Sequence, residues 1–330
     1  MKIAILDDFQ DAVRQLECFH LLDGHEVKVF TNSARGAGQL AIRLAPFEAI
    51  VLIRERTALP RLLLSKLPKL KLISQTGKLA GHVDVSAATA HGIAIAEGVG
   101  SPVAPAELTW ALIMAASRKL VPYAANLKDG LWQTASINPA LNGLGTVLRG
   151  RTLALWGYGK IGRLVAGYGK AFGMRVVVWG SQASRAAAED DGFEAAASRD
   201  ALFEMADVLS LHLRLADTTR GIVTAEDLAR MKPSALLVNT SRAELIAEGA
   251  LVAALHAGRP GTAAIDVFEN EPLGPDSPLL RIPTVLATPH LGYVEKDSYE
   301  LYFRGAFENI VNFADGKPTN IHNPEVLGDR

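Results

Sequence analysis

Three short segments in the second half of the chain carry residue types that suit one kind of chemistry: Asn239-Thr240-Ser241-Arg242, Asp266-Val267-Phe268-Glu269-Asn270-Glu271-Pro272 and Thr288-Pro289-His290-Leu291-Gly292. Hydride reduction of a 2-keto acid wants a planar, permanently charged fork for the carboxylate, which Arg242 supplies. As hydride arrives the carbonyl oxygen becomes an alkoxide and needs a proton. Histidine is the donor best matched to neutral pH, hence His290. A carboxylate beside it, Glu271, would favour the imidazolium and fix its tautomer. Taken singly each has a plainer reading: an arginine after a strand is commonly a surface charge, a histidine after Thr-Pro can cap a loop, and Glu271 lies in an acidic loop. Their joint position argues for chemistry. Each follows an apolar run that reads as a strand, and parallel strand ends open on one crevice, where ligands bind.

A second constellation precedes these. Leu153-Ala154-Leu155-Trp156 reads as a strand and is followed by Gly157-Tyr158-Gly159-Lys160-Ile161-Gly162 and a helical pattern carrying Leu164, Val165 and Tyr168. Gly157 permits a tight turn, Gly159 lets the backbone approach a pyrophosphate, and Gly162 lets helix and strand pack closely. The helix N-terminus then points N–H groups and a positive dipole end at phosphates. Glycines also gather in ordinary turns. Here strand, glycines, helix and next strand follow in the required order within about thirty residues, which predicts a dinucleotide site. That next strand, Val176-Val177-Val178-Trp179, lacks the terminal Asp or Glu that holds a ribose 2′-hydroxyl. Gly180-Ser181-Gln182-Ala183-Ser184-Arg185 follows instead. With no carboxylate to repel it, a 2′-phosphate can sit among Ser181, Ser184 and Arg185. The expected cofactor is NAD(P), with NADP favoured over NAD; the alternative is that other groups hold the ribose and NAD binds.

The elements that must position these residues read as an α/β protein. Strands are expected at 3–6, 27–30, 49–53, 70–74 and 93–96, and again at 153–156, 176–179, 208–213, 235–239, 263–267 and 284–287. In the first series each is a continuous apolar run, as for parallel strands covered on both faces. Helical patterns at 12–22 and 62–67 lie between them, and the two strand series predict two doubly wound parallel sheets. A longer helix is expected from about 105 to 120, with Pro105 and Glu107 in its first turn. Residues 121–150, rich in Asn, Gly and Pro, read as a wrapping arm or long loop. A last helix at 298–314 ends near Gly316 and Pro318.

At 330 residues the chain is too long for one ordinary core and suits two domains. Lys plus Arg number 34 against 35 Asp plus Glu, with no basic run, which argues against nucleic acid as a partner. The single cysteine, Cys18, admits no intrachain disulfide and fits a reducing compartment. The N-terminus, Met1-Lys2-Ile3-Ala4-Ile5-Leu6-Asp7-Asp8, reads as a buried strand rather than a secretory signal. The most apolar stretch, 110–116, is too short to span a bilayer. A cytoplasmic protein without a metal site is expected.

Together these segments, with Asp207-Val208-Leu209-Ser210-Leu211-His212-Leu213 and Met231-Lys232-Pro233, resemble the D-isomer-specific 2-hydroxyacid dehydrogenase family, almost end to end. That family includes phosphoglycerate dehydrogenases and glyoxylate/hydroxypyruvate reductases. The resemblance implies a Rossmann NAD(P)-binding domain at 102–290 and a flavodoxin-like substrate domain at 1–101 plus 291–330, with a hinge closing over a cleft. It makes Arg242 the substrate-orienting residue, His290 the acid/base and Glu271 its partner. Asp266 would contact the nicotinamide end, and His212 and Thr240 would join the cofactor site. Backbone N–H groups in Thr76-Gly77-Lys78-Leu79-Ala80-Gly81-His82-Val83-Asp84 would meet the substrate carboxylate, placing Lys78 and Leu79 there. Arg54 and Arg56 match a segment that faces a phosphorylated substrate, or are a plain solvated pair. A homodimer built on the nucleotide domain would use the 121–150 arm.

There are departures. His82 stands where asparagine is usual, Lys78 replaces a small residue, and Arg214 stands in for a proline. Tyr293, after His290, also replaces a small residue and would reshape the pocket. No appended regulatory domain is expected. Two other readings share the fold. One is a formate dehydrogenase, which carries Gln in place of Glu271; the other is an NAD-sensing corepressor-like interaction protein. The particular hydroxy acid is not legible, because one methylene changes discrimination by only about 1–3 kcal/mol.

Overall fold

The computed structural model describes residues 1–34, 36–133 and 143–328. It divides into two compact units, Met1–Ser101 with Glu295–Arg330, and Pro102–Val294.

In the first unit the described residues form a five-stranded parallel sheet: β1 (Lys2–Ile5), β2 (Glu26–Val29), β3 (Ala49–Leu52), β4 (Leu72–Gln75) and β5 (Ala94–Ala96), in the order β2-β1-β3-β4-β5. β3, β4 and β5 are buried at every residue, which is why their sequences are unbroken apolar or small runs rather than alternating ones. β4 has two buried polar residues: Ser74 donates its hydroxyl to the Ala306 carbonyl of helix Lys296–Ala314 at 2.8 Å, and Gln75 Nε2 donates to the Arg54 carbonyl at 3.1 Å. That helix buries Tyr299, Tyr302, Phe303 and Phe307.

The stretch expected as a helix at 12–22 is two 3₁₀ segments, Val13–Gln15 and Glu17–Leu22. The Asp8 carboxylate takes the Ala12 and Val13 N–H groups, and Leu16 is extended, so no α-helical ladder runs through. Val13, Leu16, Cys18 and Leu22 are nevertheless buried. The periodicity reported burial correctly and helix type incorrectly.

The second unit carries β6 (Thr152–Trp156), β7 (Arg175–Trp179), β8 (Glu194–Ala195), β9 (Val208–Leu211), β10 (Leu236–Asn239), β11 (Thr262–Ile265) and β12 (Val285–Ala287) in one parallel sheet ordered β12-β11-β10-β9-β6-β7-β8. One face packs Trp156, Phe203, Leu211, Leu228, Leu237 and Leu255; the other packs Ile113, Leu153, Val165, Val178 and Val238. Both units are doubly wound α/β sheets, as expected. β8 has no apolar run and escaped the pattern.

The helix expected over 105–120 is Val103–Ser117, and Lys119 in the left-handed region (φ 51°) separates it from a second helix, Leu120–Lys128. The start of the 121–150 segment is therefore helical rather than loop, and 134–142 lies outside the described residues. Among the described residues no helix is long and apolar enough to cross a membrane, and no group of three or more His, Cys, Asp or Glu could hold a metal ion.

Asn323 closes the first unit. Its Oδ1 accepts from the Ile95 N–H on the edge of β5 at 2.8 Å, and its Nδ2 donates to the Ile93 carbonyl at 3.0 Å and to Thr89 Oγ1 at 2.9 Å. It is buried, so removing it leaves backbone groups without partners. Asn323→Ala should cost about 2–6 kcal/mol, at 1–3 kcal/mol for each of the two backbone groups left unsatisfied. Chemical denaturation measures the loss, and a change below 1 kcal/mol would show that water replaces the side chain.

Candidate active site

The seven-stranded sheet is paired in one register across its middle. Trp156 is opposite Trp179 on one side and Leu211 on the other; Asn239 is opposite Leu211 and Ile265; Ile265 is opposite Ala287. These residues end their strands. The next residues are Gly157, Gly180, His212, Thr240, Asp266 and Thr288, so both constellations read from the sequence emerge along one edge.

The glycine loop leaves β6 and enters helix Lys160–Ala171. Gly157 has φ 105°, and a Cβ there would meet the His212 carbonyl oxygen at 2.5 Å; a Cβ on Gly162 would meet the Gly157 carbonyl oxygen at 2.4 Å. Only glycine fits either place. Gly159, by contrast, borders open space, and helix Lys160–Ala171 begins there without a side-chain cap. Its first N–H groups are thus left for a ligand such as a pyrophosphate. The Tyr158 ring is buried, and its hydroxyl donates to Asp191 Oδ2 at 2.8 Å. Lys160 is exposed on the first turn and Ile161 packs into the core.

His212 forms the floor. Its Nε2 lies 3.0 Å from Ser210 Oγ, its Nδ1 is buried without a partner, and burial pushes its pKa down to about 4. It is a neutral group at physiological pH. At the end of β7, Ser181 caps helix Gln182–Asp190 by accepting from the Ser184 N–H, and the Arg185 guanidinium stacks 4.5 Å over the Trp179 ring. These residues fit a dinucleotide: a cradle without side chains, an uncapped helix start, and hydroxyls with a cation at the second strand.

The three chemical residues occupy the neighbouring strand ends. Asn239 builds the turn after β10: its Oδ1 accepts from the Ser241 N–H at 3.1 Å and its Nδ2 donates to the Arg242 carbonyl at 2.9 Å. Thr240 is linked to Thr109 of helix Val103–Ser117, Oγ1 to Oγ1, at 2.7 Å. His290 Nδ1 and Glu271 Oε2 are 2.6 Å apart, and Glu271 Oε1 accepts from the Phe268 N–H at 2.9 Å. Burial pushes the Glu271 carboxyl up, but the hydrogen bond and charge of His290, the Phe268 N–H and the Arg242 cation outweigh it, so its pKa lies below the ordinary value. A carboxylate depressed in the fold stabilises it above the ordinary pKa and loses that contribution as pH falls through the folded value, so the pair is intact across the neutral range.

Asp266, expected at the cofactor site, is tied within the protein to the loop that carries His290. It is 0% exposed, and it accepts from Thr288 Oγ1 at 2.6 Å, the Leu291 N–H at 2.7 Å and the Gly292 N–H at 2.9 Å. Both oxygens are committed to the loop that carries His290. That loop needs holding, because His290 sits at φ 53°, a region non-glycine residues rarely adopt. Tyr293 packs edge-to-face on the His290 ring, centroids 5.4 Å apart. A cavity of about 460 Å³ beneath the 268–279 loop, lined by Ile246, Phe268, Leu273 and Leu279, includes none of Arg242, Glu271 or His290.

A sequence profile of the D-isomer specific 2-hydroxyacid dehydrogenase, NAD binding domain, matches residues 110–292. The chain belongs to the D-isomer specific 2-hydroxyacid dehydrogenase family. The dehydrogenase is 40% identical over 269 residues to glyoxylate reductase of Aeropyrum pernix, spanning 80% of each chain. It is 35% identical over 294 residues to D-3-phosphoglycerate dehydrogenase of Methanocaldococcus jannaschii, spanning 88% of this chain and 53% of that one. It thus covers about half the length of that relative. The crystal structure of phosphoglycerate oxidoreductase from Vibrio cholerae O395 matches at a TM-score of 0.93 and 56% identity, covering 96% of this chain and 99% of the other. The family resemblance read from the motifs is borne out, and with it a nicotinamide-dependent oxidoreductase.

In the dehydrogenase's first unit, Arg54 and the Lys78-Leu79 loop follow β3 and β4 and come together. A Cβ on Gly77 would lie 2.0 Å from Arg54 Nη1, so the guanidinium lies directly against that glycine. Arg56 is built into its own unit, donating to the Asp7 carbonyl at 2.7 Å and to Tyr299 Oη at 3.3 Å. Arg56 is thus part-buried and hydrogen-bonded within the unit. Two residues escaped sequence reasoning: Thr288, whose hydroxyl helps bind Asp266, and Glu97, which holds the Leu79 N–H at 2.8 Å. The Thr-Pro-His spacing signalled the first; nothing local signalled the second.

Asp266→Asn would turn an amide N–H toward a backbone N–H, since one acceptor oxygen becomes a donor. The expected result is a loss of about 1.5–3 kcal/mol in stability, the scale of one charged hydrogen bond, together with at least tenfold lower keto-acid turnover. Denaturation midpoints and kcat measured side by side check it; full activity would free Asp266 from holding His290.

Proposed function

We propose that this dehydrogenase reduces a small 2-keto acid to the D-2-hydroxy acid, with Pro102–Val294 holding NAD(P) and Met1–Ser101 with Glu295–Arg330 serving as the substrate unit. The observation that carries the reading is the 2.6 Å His290–Glu271 pair set on the same strand-end edge as the glycine loop. Arg242 orients the substrate carboxylate. Because Glu271 engages Nδ1, Nε2 is the nitrogen left to give a proton to the carbonyl oxygen in reduction and to take it back in oxidation. When bound, the reduced nicotinamide supplies the hydride. The glycine loop at residues 157–162 and the floor at His212 hold the dinucleotide, with Thr240 and Asp266 at the neighbouring strand ends beside it. Glyoxylate, hydroxypyruvate and 3-phosphohydroxypyruvate are the substrates to try first, because relatives are named glyoxylate reductase and D-3-phosphoglycerate dehydrogenase. Arg54, Lys78 and Leu79 suit an anionic group.

A cytoplasmic homodimer is also proposed. Helix Leu120–Lys128 buries none of its residues, and Leu120, Val121, Leu127, Trp132, Leu144 and Val147 are exposed around it, an apolar face that a second copy would cover.

His290→Ala should lower keto-acid reduction by about 10²–10⁴-fold with cofactor binding nearly intact. Glu271→Gln should act more mildly and move the pH profile of reduction downward, since a neutral partner no longer favours the proton on His290. Steady-state kinetics across pH on both variants decide. Near-wild-type turnover in the first would remove His290 from the chemistry, and an unmoved profile in the second would undo the pairing.

NADP is favoured over NAD because no carboxylate ends β7, while Ser181, Ser184 and the stacked Arg185 surround the expected 2′-phosphate position. An Asp at 180 would set two like charges about 4 Å apart, worth on the order of 4 kcal/mol at an effective dielectric near 20. Its Cβ would lie 3.2 Å from Ser184 Cβ, so Ser184 must yield slightly. Gly180→Asp should therefore favour NADH, and Arg185→Ala should weaken NADPH use selectively, read as kcat/KM with each cofactor. A wild type strongly preferring NADH, with NADPH use insensitive to Arg185, would reverse the cofactor assignment.

A further inference from the structure

Glu97 follows β5 in the first unit, and its carboxylate lies where an external anion would be welcome. Oε1 accepts from the Leu79 N–H at 2.8 Å and is 3.7 Å from His322 Nδ1; Oε2 accepts from Lys78 Nζ at 2.9 Å. An ammonium, a backbone N–H and an imidazole thus converge on one point, and the acceptor they share is the protein's own carboxylate. Burial pushes that carboxyl up, but Lys78, the Leu79 N–H and His322 hold its pKa below the ordinary value.

The backbone around Glu97 is fixed without help from this carboxylate. Its N–H donates to the Asn320 carbonyl at 2.9 Å, and its carbonyl accepts from Asn309 Nδ2 at 3.1 Å. Asn309 Oδ1 is in turn bound by Asn320 Nδ2 at 2.9 Å and Thr319 Oγ1 at 3.2 Å. The next residue, Gly98, donates to the Gly77 carbonyl at 2.8 Å, and a Cβ on it would come within 2.6 Å of the Gly77 nitrogen. The two chain segments are therefore locked together by main-chain contacts. The glutamate side chain can leave by rotation about its own bonds while they stay in place. Lys78 is 66% exposed and Glu97 17%, so the way out to solvent lies on the lysine side.

We propose that Lys78 Nζ, the Leu79 N–H and His322 form an anion site that Glu97 occupies in the absence of ligand, and that a phosphate or carboxylate oxygen of the substrate displaces Glu97 from it. The identity of that ligand rests on the dehydrogenase reading above; the existence of the site does not. A resident carboxylate sets a threshold. Displaced, the carboxylate stays tethered nearby and repels a dianion about twice as strongly as a monoanion, so Glu97 discriminates against dianionic ligands. Replacing it with a neutral acceptor should relax that threshold and strengthen anion binding.

The test uses the whole protein and inorganic phosphate, followed by NMR at the Leu79 amide and the His322 ring, with acetate as the monoanionic comparison. Glu97→Gln keeps an oxygen for the Leu79 N–H but releases Lys78. Phosphate affinity should rise about tenfold, the scale of one charge-assisted contact no longer contested. Lys78→Met should lower it, and the double variant should lose the gain. In turnover, Glu97→Gln should reduce KM for 3-phosphohydroxypyruvate more than for glyoxylate with kcat little changed. Unchanged phosphate affinity in Glu97→Gln, or a gain that survives Lys78→Met, would overturn the proposal. So would a lower Tm with KM raised equally for both substrates, since that marks Glu97 as a loop clamp. If no keto acid is turned over by the wild type, the substrate reading falls, and the phosphate titration still decides the site.

Discussion

Parallel pairing in one register governs the second unit. Trp179, Trp156, Leu211, Asn239, Ile265 and Ala287 stand in one row, and each strand hands over to its loop at the next residue. With neighbouring strands about 4.8 Å apart, the glycine loop after β6 and the histidine loop after β12 are set roughly 19 Å apart across four intervals. Residues 157 and 290, far apart in the chain, acquire a fixed separation without touching. A slip of one residue would move every inward side chain to the opposite face. Two cores, one against each face, forbid that slip, so packing remote from the site holds its geometry.

What the sheet cannot do is orient a loop, and here buried electrostatics takes over. His290 occupies the left-handed backbone region because its neighbours on either side are tied down. Asp266 ties them, with three donors on one carboxylate and no exposure to water. Burial nevertheless leaves its pKa raised, against the pull of those bonds and of His290. Glu271, partly exposed and facing both His290 and Arg242, is shifted the other way. Two carboxylates on one strand-end loop thus divide the work: one holds the backbone and the other faces the proton carrier.

Much of this was legible in the sequence, for an identifiable reason. Strands covered on both faces read as short apolar runs, as at 153–156, and the turn residues that bound them set their length. Glycines such as Gly157 and Gly162 mark places where a Cβ would strike backbone. The family followed from the order of these signals. The illegible parts are those decided by tertiary partners. Val13–Gln15 and Glu17–Leu22 look helical because 3₁₀ and α segments bury similar faces, and only Asp8 and the extended Leu16 tell them apart. The resemblance points Asp266 toward the cofactor, yet residue type cannot reveal that its oxygens also hold the Thr288, Leu291 and Gly292 donors. Glu97 is invisible in sequence because its partners, Lys78 and His322, come from two other parts of the chain.

One device recurs in both units: a carboxylate accepting backbone N–H groups to fix a turn. Asp8 does so for Ala12 and Val13, Asp84 for Ala87, Asp266 for Leu291 and Gly292, Glu271 for Phe268 and Glu97 for Leu79. Chemically these are the same interaction, and exposure separates their roles. A carboxylate sealed from water has no competitor, because any replacement must first desolvate. Asp8 and Asp266 are of that kind and amount to permanent parts of the backbone. Where the side chain reaches solvent, water and dissolved anions compete for the same N–H, and the bond becomes an equilibrium that a ligand can shift. Glu271 and Glu97 keep 34% and 17% of their side chains accessible, and each also faces a cation or histidine that can change partners. The same bond therefore serves as scaffold where it is dry and as a responsive element where it is wet.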